Sequence, residues 1–164
     1  MTEQNNTKIP PVRVLRINPF RAVTSGPDSF ENVMGTFNTW QEGHNHLVRR
    51  MMYGAPDFLW GEPDGRAVWI WAVEDGVTPA DTAPYELITF EGGIYAACIS
   101  IDADGESYDA AMKRIHTWIE SSGFEPDERP GHRTMCHMLP PDEEIRQALG
   151  YDQMDIYVPI KPRG

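Results

Sequence analysis

The stretch GGIYAA at residues 92–97 decides the fold, because NPFRAV at residues 18–23 matches it weakly in the first half of the chain. In both stretches turn-forming residues precede mostly apolar or aromatic ones, which is the pattern of a strand that begins at a tight turn. A second match follows in each half, where WIW at residues 69–71 corresponds to DIY at residues 155–157. The sequence therefore predicts two copies of one structural unit.

Each copy is predicted to contain a strand, a helix and two further strands. The elements predicted in the first half are a strand at 12–24 that is broken at 18–19, a mostly helical stretch at 29–53, and strands at 58–61 and 67–73. Those predicted in the second half are strands at 85–90 and 94–101, a helix at 107–122, a strand at 134–139, a short helix at 141–149 and a closing strand at 153–160. Ser29 and Ser107 are candidate N-caps. Helical spacing of apolar residues predicts that Trp40, Leu47 and Met51 face the core.

This order of elements predicts an α+β fold class. Duplicated β-α-β-β units would form an antiparallel sheet with helices on one face, and a ligand groove would lie between the repeats on the other. Residues 1–11 are predicted to be a flexible tail, because they are polar and carry no apolar periodicity. Residues 12–164 are predicted to be a single domain, whose repeats span about 12–76 and 85–162.

Composition excludes several classes of function. The formal net charge of −11 opposes direct binding to nucleic acid, because phosphate contacts need clustered lysine and arginine. No apolar run is long enough to span a membrane, so no membrane association is expected. The first residues lack the apolar core of a signal peptide, and the chain has only two cysteines, Cys98 and Cys136. These features predict a cytoplasmic protein with reduced thiols.

The closing strand contains one acidic residue among apolar neighbours. Because side chains alternate along a strand, Asp155 and Tyr157 point to one face while Ile156 and Val158 point to the other. A carboxylate in apolar surroundings is costly unless something compensates it, and a cationic ligand would do so. A solvated face on an edge strand is the other interpretation, which Pro159 also favours.

Tryptophans provide the aromatic part of the candidate site. Trp69 and Trp71 correspond to Asp155 and Tyr157 in the repeat, and Trp60 ends the neighbouring strand. Together these side chains could form an aromatic trough with one acid, which suits flat, hydrophobic and cationic ligands. The alternative is that the tryptophans belong to the core, where alternating aromatic residues of strands usually lie.

No motif indicates a cofactor, a metal or a nucleophile. His132, Cys136 and His137 are close in sequence, but their spacing matches no structural zinc pattern. There is no G-x-S-x-G motif, and neither cysteine has a recognisable catalytic partner. We therefore expect neither a cofactor nor a metal.

Three stretches resemble the gyrase-inhibitor-like (GyrI-like) effector-binding family. FEGGIYA at residues 90–96 resembles the family's glycine-glycine strand turn, DIYVPIKP at 155–162 resembles its closing strand, and the helix that ends at SSGF, residues 121–124, is also similar. The resemblance covers about residues 12–162 and extends to the ligand-binding domain of multidrug-responsive AraC- and MerR-type transcription regulators.

The resemblance implies two repeats of the SHS2 type around a groove for hydrophobic ligands, in a bacterial protein. A glutamate of the family's last strand commonly contacts the ligand, and its position here is Asp155, whose side chain is one methylene shorter. An aromatic residue at Trp60 also fits the family. No helix-turn-helix segment precedes Val12, so the chain resembles the stand-alone members.

Three functions stay open at this level. The first is a small-molecule binding protein for hydrophobic or cationic compounds, with Asp155, Tyr157, Trp60, Trp69 and Trp71 as ligand-binding residues. The second is a hydrolase of strained-ring or electrophilic natural products, in which Asp155 acts as base and Tyr157 assists. The third is inhibition of gyrase as a protein partner, for which an acidic surface is suited. The chain is expected to be a monomer or a weak dimer.

Overall fold

The computed structural model of the chain describes residues 11–51, 56–138 and 142–164. The strands in these ranges are β1 (Arg13–Ile17), β2 (Phe20–Thr24), β3 (Asp57–Gly61), β4 (Ala67–Ala72), β5 (Glu86–Phe90), β6 (Gly93–Ile101), β7 (Phe124–Pro126), β8 (Met135–Met138) and β9 (Gln153–Pro162). The helices are α1 (Phe30–Asn32), α2 (Asn38–Gly43), α3 (Pro79–Thr82), α4 (Gly105–Glu120) and α5 (Glu143–Leu149), and a π-helical turn (Val33–Phe37) joins α1 to α2.

All described strands belong to one curled antiparallel sheet. Its order is β1-β6-β9-β8-β3-β4-β2-β5, and β7 pairs with β9 outside this path. The first copy contributes β2, β3 and β4, the second contributes β6, β8 and β9, and the copies meet where β3 pairs with β8. The predicted α+β fold class, with duplicated units in an antiparallel sheet, is confirmed.

The two copies exchange their outer strands. β1 precedes β2 in the chain but pairs with β6 of the second copy, while β5 precedes β6 and pairs with β2 of the first. Only residues 18–19 and 91–92 connect these distant strands, so the sheet must curl until its edges approach each other. Gly92 makes this approach feasible, because it has a φ of +70° and a Cβ there would lie 2.0 Å from the carbonyl oxygen of Ile17.

Helices cover one face of the sheet. Helix α4 presents Ala111, Ile115 and Ile119 to the second copy, and all three are buried against Ile156 and its neighbours on β6 and β9. The π-helical turn and α2 cover the first copy in a separate cluster, whose buried members are Val23, Val33, Phe37, Ala67, Trp69, Val73 and Val77. Each half therefore has its own helix-covered core.

The opposite face of the sheet is concave and carries a third cluster. Its buried members are Ala22, Phe58, Trp60, Val68, Ile70, Phe90, Tyr95, Ala97, Met135 and Tyr157. These residues alternate along the strands with those of the helix-covered clusters, as strand geometry requires.

The described elements follow the predicted ones except in a few places. The helical stretch predicted at 29–53 contains the π-helical turn, ends at Gly43 and is followed by a short 3-10 turn (Asn45–Leu47). Met51, expected in the core, is 58% exposed. Helix α3 and strand β7 lie in stretches where no helix or strand is predicted from the sequence. The predicted tail at 1–11, except for its last residue, lies outside the described residues, as do residue 53 and residues 139 and 141 at the predicted element ends.

Two further features bear on the sequence predictions. In the described ranges no helix is both long and apolar enough to cross a membrane. Cys98 and Cys136 are free thiols, and Cys98 is buried.

Candidate functional site

A cavity of about 510 Å³ opens on the concave face of the sheet. The connection between β1 and β2 forms one side of the cavity, and Phe58, His137 and Tyr157 of the central strands form its floor. This volume falls in the range of small-molecule sites, which is roughly 300–1,000 Å³. Among the residues that the structure describes, the cavity is also lined by Leu15, Arg16, Ile17, Asn18, Pro19, Phe20, Arg49, Met51, Pro56 and Ala72.

Aromatic rings dominate the floor of the cavity. The ring of Tyr157 lies edge-on to Phe58 at a centroid distance of 5.6 Å and edge-on to Tyr95 at 6.3 Å. Phe20 packs against Phe58 at 6.0 Å and against Phe90 at 5.0 Å. Of these rings, Phe20, Phe58 and Tyr157 line the cavity and can offer flat apolar surface to a ligand and an attractive face to a cation, while Tyr95 and Phe90 support them from behind.

Asp155 lies next to the cavity floor on the same face of β9 as Tyr157. Its side chain is only 12% exposed, and its Oδ2 accepts a hydrogen bond from the Tyr157 hydroxyl at 3.0 Å. The guanidinium of Arg13, on strand β1, donates to the same oxygen at 2.7 Å. The predicted pairing of an acid with an aromatic ring on one face is therefore present, and the acid already has a cationic partner.

A second polar group on the floor was not predicted from the sequence. His137 faces Asp155 across the β8–β9 pair, and its Nδ1 lies 2.8 Å from Oδ1 of Asp57. The other oxygen of that buried carboxylate accepts a hydrogen bond from the indole nitrogen of Trp69 at 2.8 Å. Asp57 therefore fixes the orientation of a histidine ring that lines the cavity.

The protonation of His137 is governed by these neighbours. Burial favours the neutral ring and by itself lowers its pKa, but the hydrogen bond and charge of Asp57 and the charge of Asp155 outweigh it. The net effect is a raised pKa for His137. No sequence signal pointed to this pair, because the two residues are 80 positions apart and belong to different copies.

The structure divides the predicted tryptophans between the two faces. Trp60 lies on the concave face, where it is 9% exposed, and its indole nitrogen donates to Glu62 at 2.9 Å. Trp69 and Trp71 belong to the helix-covered side, where Trp69 is buried beside Phe37. The arrangement therefore does not bring Trp69 and Trp71 together with Asp155 and Tyr157.

A one-residue shift in the repeat alignment explains this difference. The sequence match pairs Trp69 with Asp155, but the residues of β4 that share the concave face are Val68 and Ile70. Because successive side chains of a strand point to opposite faces, a shift of one position transfers every side chain to the other face.

The glycine-glycine turn supports a separate polar group behind the cavity floor. The hydroxyl of the fully buried Tyr95 lies 3.0 Å from Nδ1 of His132, and Nε2 of that ring lies 3.4 Å from Asp127. A Cβ at Gly93 would lie 2.5 Å from the His132 ring, so only glycine admits the ring here. Burial, aided by the charge of Arg129, lowers the pKa of His132.

The described side chains do not form a metal site. In residues 11–51, 56–138 and 142–164, no three histidine, cysteine, aspartate or glutamate side chains are grouped so that they could hold a metal ion.

Comparison with known proteins finds relatives by structure alone. No family model and no curated protein matches the chain. The C-terminal domain of EcmrR superposes with a TM-score of 0.66 at 11% identity, over 93% of this chain and 98% of that one. A hydrolase from Listeria innocua superposes with a TM-score of 0.59 at 12% identity, over 93% of this chain and 92% of that one.

A third similar structure contains a ligand. SAV2435 bound to tetraphenylphosphonium superposes with a TM-score of 0.51 at 18% identity, over 92% of this chain and 93% of that one. These similarities confirm the gyrase-inhibitor-like effector-binding fold that the sequence resemblance implies. Similarity at identities this low establishes the fold but not the activity, which depends on the residues of the site.

Proposed function

We propose that the protein binds hydrophobic cations in the cavity on the concave face of its sheet, with Asp155 as their counter-ion. The observation that carries this proposal is the contact between Tyr157 and Asp155. Tyr157 lines the cavity with its ring, and its hydroxyl bonds to a carboxylate that is 12% exposed. A ligand on the aromatic floor is thereby within reach of a negative charge.

The energetics favour a ligand that is both apolar and positively charged. A cation over an aromatic face gains roughly 0.5–2 kcal/mol. A carboxylate about 4 Å away adds about 4 kcal/mol at most, at an effective dielectric near 20. Apolar surface that leaves water adds about 25 cal/mol per Å². A neutral ligand of the same shape lacks the first two contributions.

The similar structures support this choice of ligand class. SAV2435 is bound to tetraphenylphosphonium, which is a hydrophobic cation. The shared fold does not transfer the ligand from one protein to the other, but it makes tetraphenylphosphonium a suitable first probe. In this chain, Asp155 and Tyr157 are the residues we propose to contact it, with Phe58 beneath it and Trp60 as a more distant part of the same face.

Calorimetric titration with tetraphenylphosphonium and with neutral triphenylphosphine oxide tests the proposal. We expect wild-type protein to bind the cation, and Asp155→Asn to weaken that binding about tenfold or more while binding of the oxide is unchanged. Asp64→Asn is the matched control, because Asp64 is an exposed acid that pairs with Arg66 in the turn after β3. Equal affinity of wild type and Asp155→Asn for the cation would refute the role of Asp155.

A hydrolase is the second candidate, and the observation that favours it is the Asp57–His137 pair. A carboxylate that orients a histidine beside a cavity is an arrangement suited to deprotonating water. In an epoxide such as styrene oxide, His137 would take a proton from water as the water oxygen bonds to a ring carbon, the carbon–oxygen bond would break, and the released oxygen would take up that proton from His137. This candidate would be supported if the wild type and Asp64→Asn formed the diol and His137→Gln did not. A rate of diol formation by the wild type equal to that in buffer alone would count against it.

A further inference from the structure

We infer that Arg13 is a resident cation of the site, and that the ligand is a cation with N–H donors on an aromatic body, which binds by taking the place of the Arg13 guanidinium on Asp155. This inference rests on the proposed function. It adds a chemical class of ligand and a residue that sets the affinity for that class.

The two partners of the Arg13–Asp155 pair differ strongly in exposure. The side chain of Arg13 is 61% exposed, whereas that of Asp155 is 12% exposed. An exposed guanidinium loses little when it returns to water, because its hydration replaces the ion pair. A nearly buried carboxylate has no such replacement and needs a donor beside it. Replacing the Arg13 guanidinium by another cation should therefore cost less free energy than leaving Asp155 without a cationic partner.

The position of Arg13 also suits exchange. It lies on β1, at the edge of the sheet, where it pairs with Ala97 of β6. Leu15 and Ile17, two and four residues further along the same strand, line the cavity. Arg13 therefore approaches Asp155 from the same face as a bound ligand would, and it can swing outward without disturbing the strand.

The hydrogen bonds of Asp155 indicate which cation fits. Arg13 and Tyr157 both donate to Oδ2, at 2.7 and 3.0 Å. Among the side chains that the structure describes, none donates to Oδ1. A planar amidinium or guanidinium carries two parallel N–H donors, so it can bond to both carboxylate oxygens at once. A phosphonium has no N–H and gains only from the charge.

Competition between Arg13 and a cationic ligand for Asp155 should change the ligand's dissociation constant by a measurable factor. Because the guanidinium of Arg13 is 61% exposed, its own contribution to the ion pair is up to about 1 kcal/mol, which corresponds to about a fivefold change in a dissociation constant. Removing the guanidinium should therefore strengthen the binding of a cationic ligand by up to about fivefold. The same change should leave a neutral ligand unaffected, because that ligand does not compete for Asp155.

The test uses 4-phenylbenzamidine, which is cationic, and 4-phenylbenzamide, its neutral counterpart of the same shape. Dissociation constants are measured by calorimetry for wild type, Arg13→Gln, Arg13→Lys, Asp155→Asn and Arg13→Gln/Asp155→Asn. Arg66→Gln is the control, because Arg66 forms an exposed pair with Asp64 in the turn between β3 and β4. Tetraphenylphosphonium is titrated alongside as a cation without N–H groups.

We expect Arg13→Gln to bind the amidine about threefold to fivefold more tightly than wild type, and Arg13→Lys and Arg66→Gln to bind it as wild type does. The gain should be absent for the amide and absent in the Asp155→Asn background. The inference about Arg13 is overturned if Arg13→Gln leaves amidine affinity unchanged while Asp155→Asn still weakens it, and in that case the proposed function stands. If neither cation binds any variant that retains Asp155, the proposed function fails with it. Arg13→Ala would replace Arg13→Gln should the latter not fold.

Discussion

His137 and Asp57 form a buried pair across the boundary between the two copies, with Nδ1 of the ring 2.8 Å from Oδ1 of the carboxylate. The ring lines the cavity, while the carboxylate is held from behind by the indole of Trp69. The pair therefore connects the helix-covered side of the first copy to the cavity floor of the second.

Replacement of His137 should alter the pH dependence of stability. The folded protein raises the pKa of His137, so it binds this proton more tightly than the unfolded chain does. The resulting stabilisation is complete below the unfolded pKa of about 6.5 and is lost as the pH rises through the folded pKa. From pH 5.5 to 8.5, wild type should lose free energy of unfolding relative to His137→Gln in urea denaturation. Parallel curves would contradict the raised pKa.

His132 should change the pH dependence of stability in the opposite direction to His137. Burial, with the charge of Arg129, lowers its pKa in spite of the nearby Asp127, so the folded state binds the proton less tightly than the unfolded chain. The stabilisation that comes from the neutral His132 ring is complete above pH 6.5 and is lost as the pH falls through the pKa of the folded state. His132→Gln should therefore be less sensitive to acid than wild type between pH 6.5 and 4.5. NMR titration of the ring carbons checks the assignment to this residue.

Asp57→Asn should destabilise the fold and loosen His137. Loss of one partner from a buried charged pair costs about 3–5 kcal/mol. Without the carboxylate, the pKa of His137 should fall, because burial then acts unopposed by Asp57. Chemical denaturation and NMR titration measure the two effects separately. Asp75→Asn is the control, since the side chain of Asp75 is 78% exposed. The free energy of unfolding of this variant should differ from that of wild type by no more than about 0.5 kcal/mol.

Gly92→Ala should destabilise the protein much more than Gly26→Ala. Both glycines have a φ near +70°, but a Cβ at Gly92 would lie 2.0 Å from the carbonyl oxygen of Ile17, while nothing lies within 4 Å at Gly26. The conformational cost is about 1 kcal/mol at both sites. The clash at Gly92 should add at least about 2 kcal/mol, because backbone must shift. Equal losses in thermal denaturation would show that curling of the sheet does not depend on this contact.

Substitution of Trp69 should affect stability without affecting binding. Trp69→Phe removes the donor to a buried carboxylate oxygen of Asp57, which costs about 1–3 kcal/mol. Because Trp69 lies on the helix-covered face, the dissociation constant for tetraphenylphosphonium should stay within a factor of two at temperatures where the variant is folded. Phe58→Leu should weaken binding, because Phe58 lines the cavity. If Trp69→Phe bound tetraphenylphosphonium more weakly than wild type while Phe58→Leu bound it equally well, the ligand would have to bind outside this cavity.

The element order and the local pairing of Asp155 with Tyr157 were predictable from the sequence. Strand alternation is a local property, so it places these two side chains on one face whatever the rest of the chain does. The π-helical turn at Val33–Phe37 could not be predicted, because such turns are rare and the residues of this stretch do not mark one.

The sequence could not predict on which face of the sheet the side chains of Trp69 and Trp71 lie. A weak repeat aligns residues to within a position or so, and an error of one position exchanges the two faces of a strand. Only the pairing of β4 with β2 and β3 decides which face is covered by helices. Of the aromatic residues predicted for the site, Tyr157 and Trp60 therefore lie on the concave face, and Phe58 lies beside Tyr157 in the cavity lining.

The sequence by itself determined the α+β class, the duplicated unit, the glycine-glycine turn and an acid beside an aromatic ring on the last strand, because each of these depends on neighbours in the chain. The tertiary structure alone decided that Arg13 neutralises Asp155 and that Asp57 orients His137, since these partners are 142 and 80 residues apart and meet only when the sheet has formed. Contacts of that range depend on strand order and register, which local patterns of polarity do not specify.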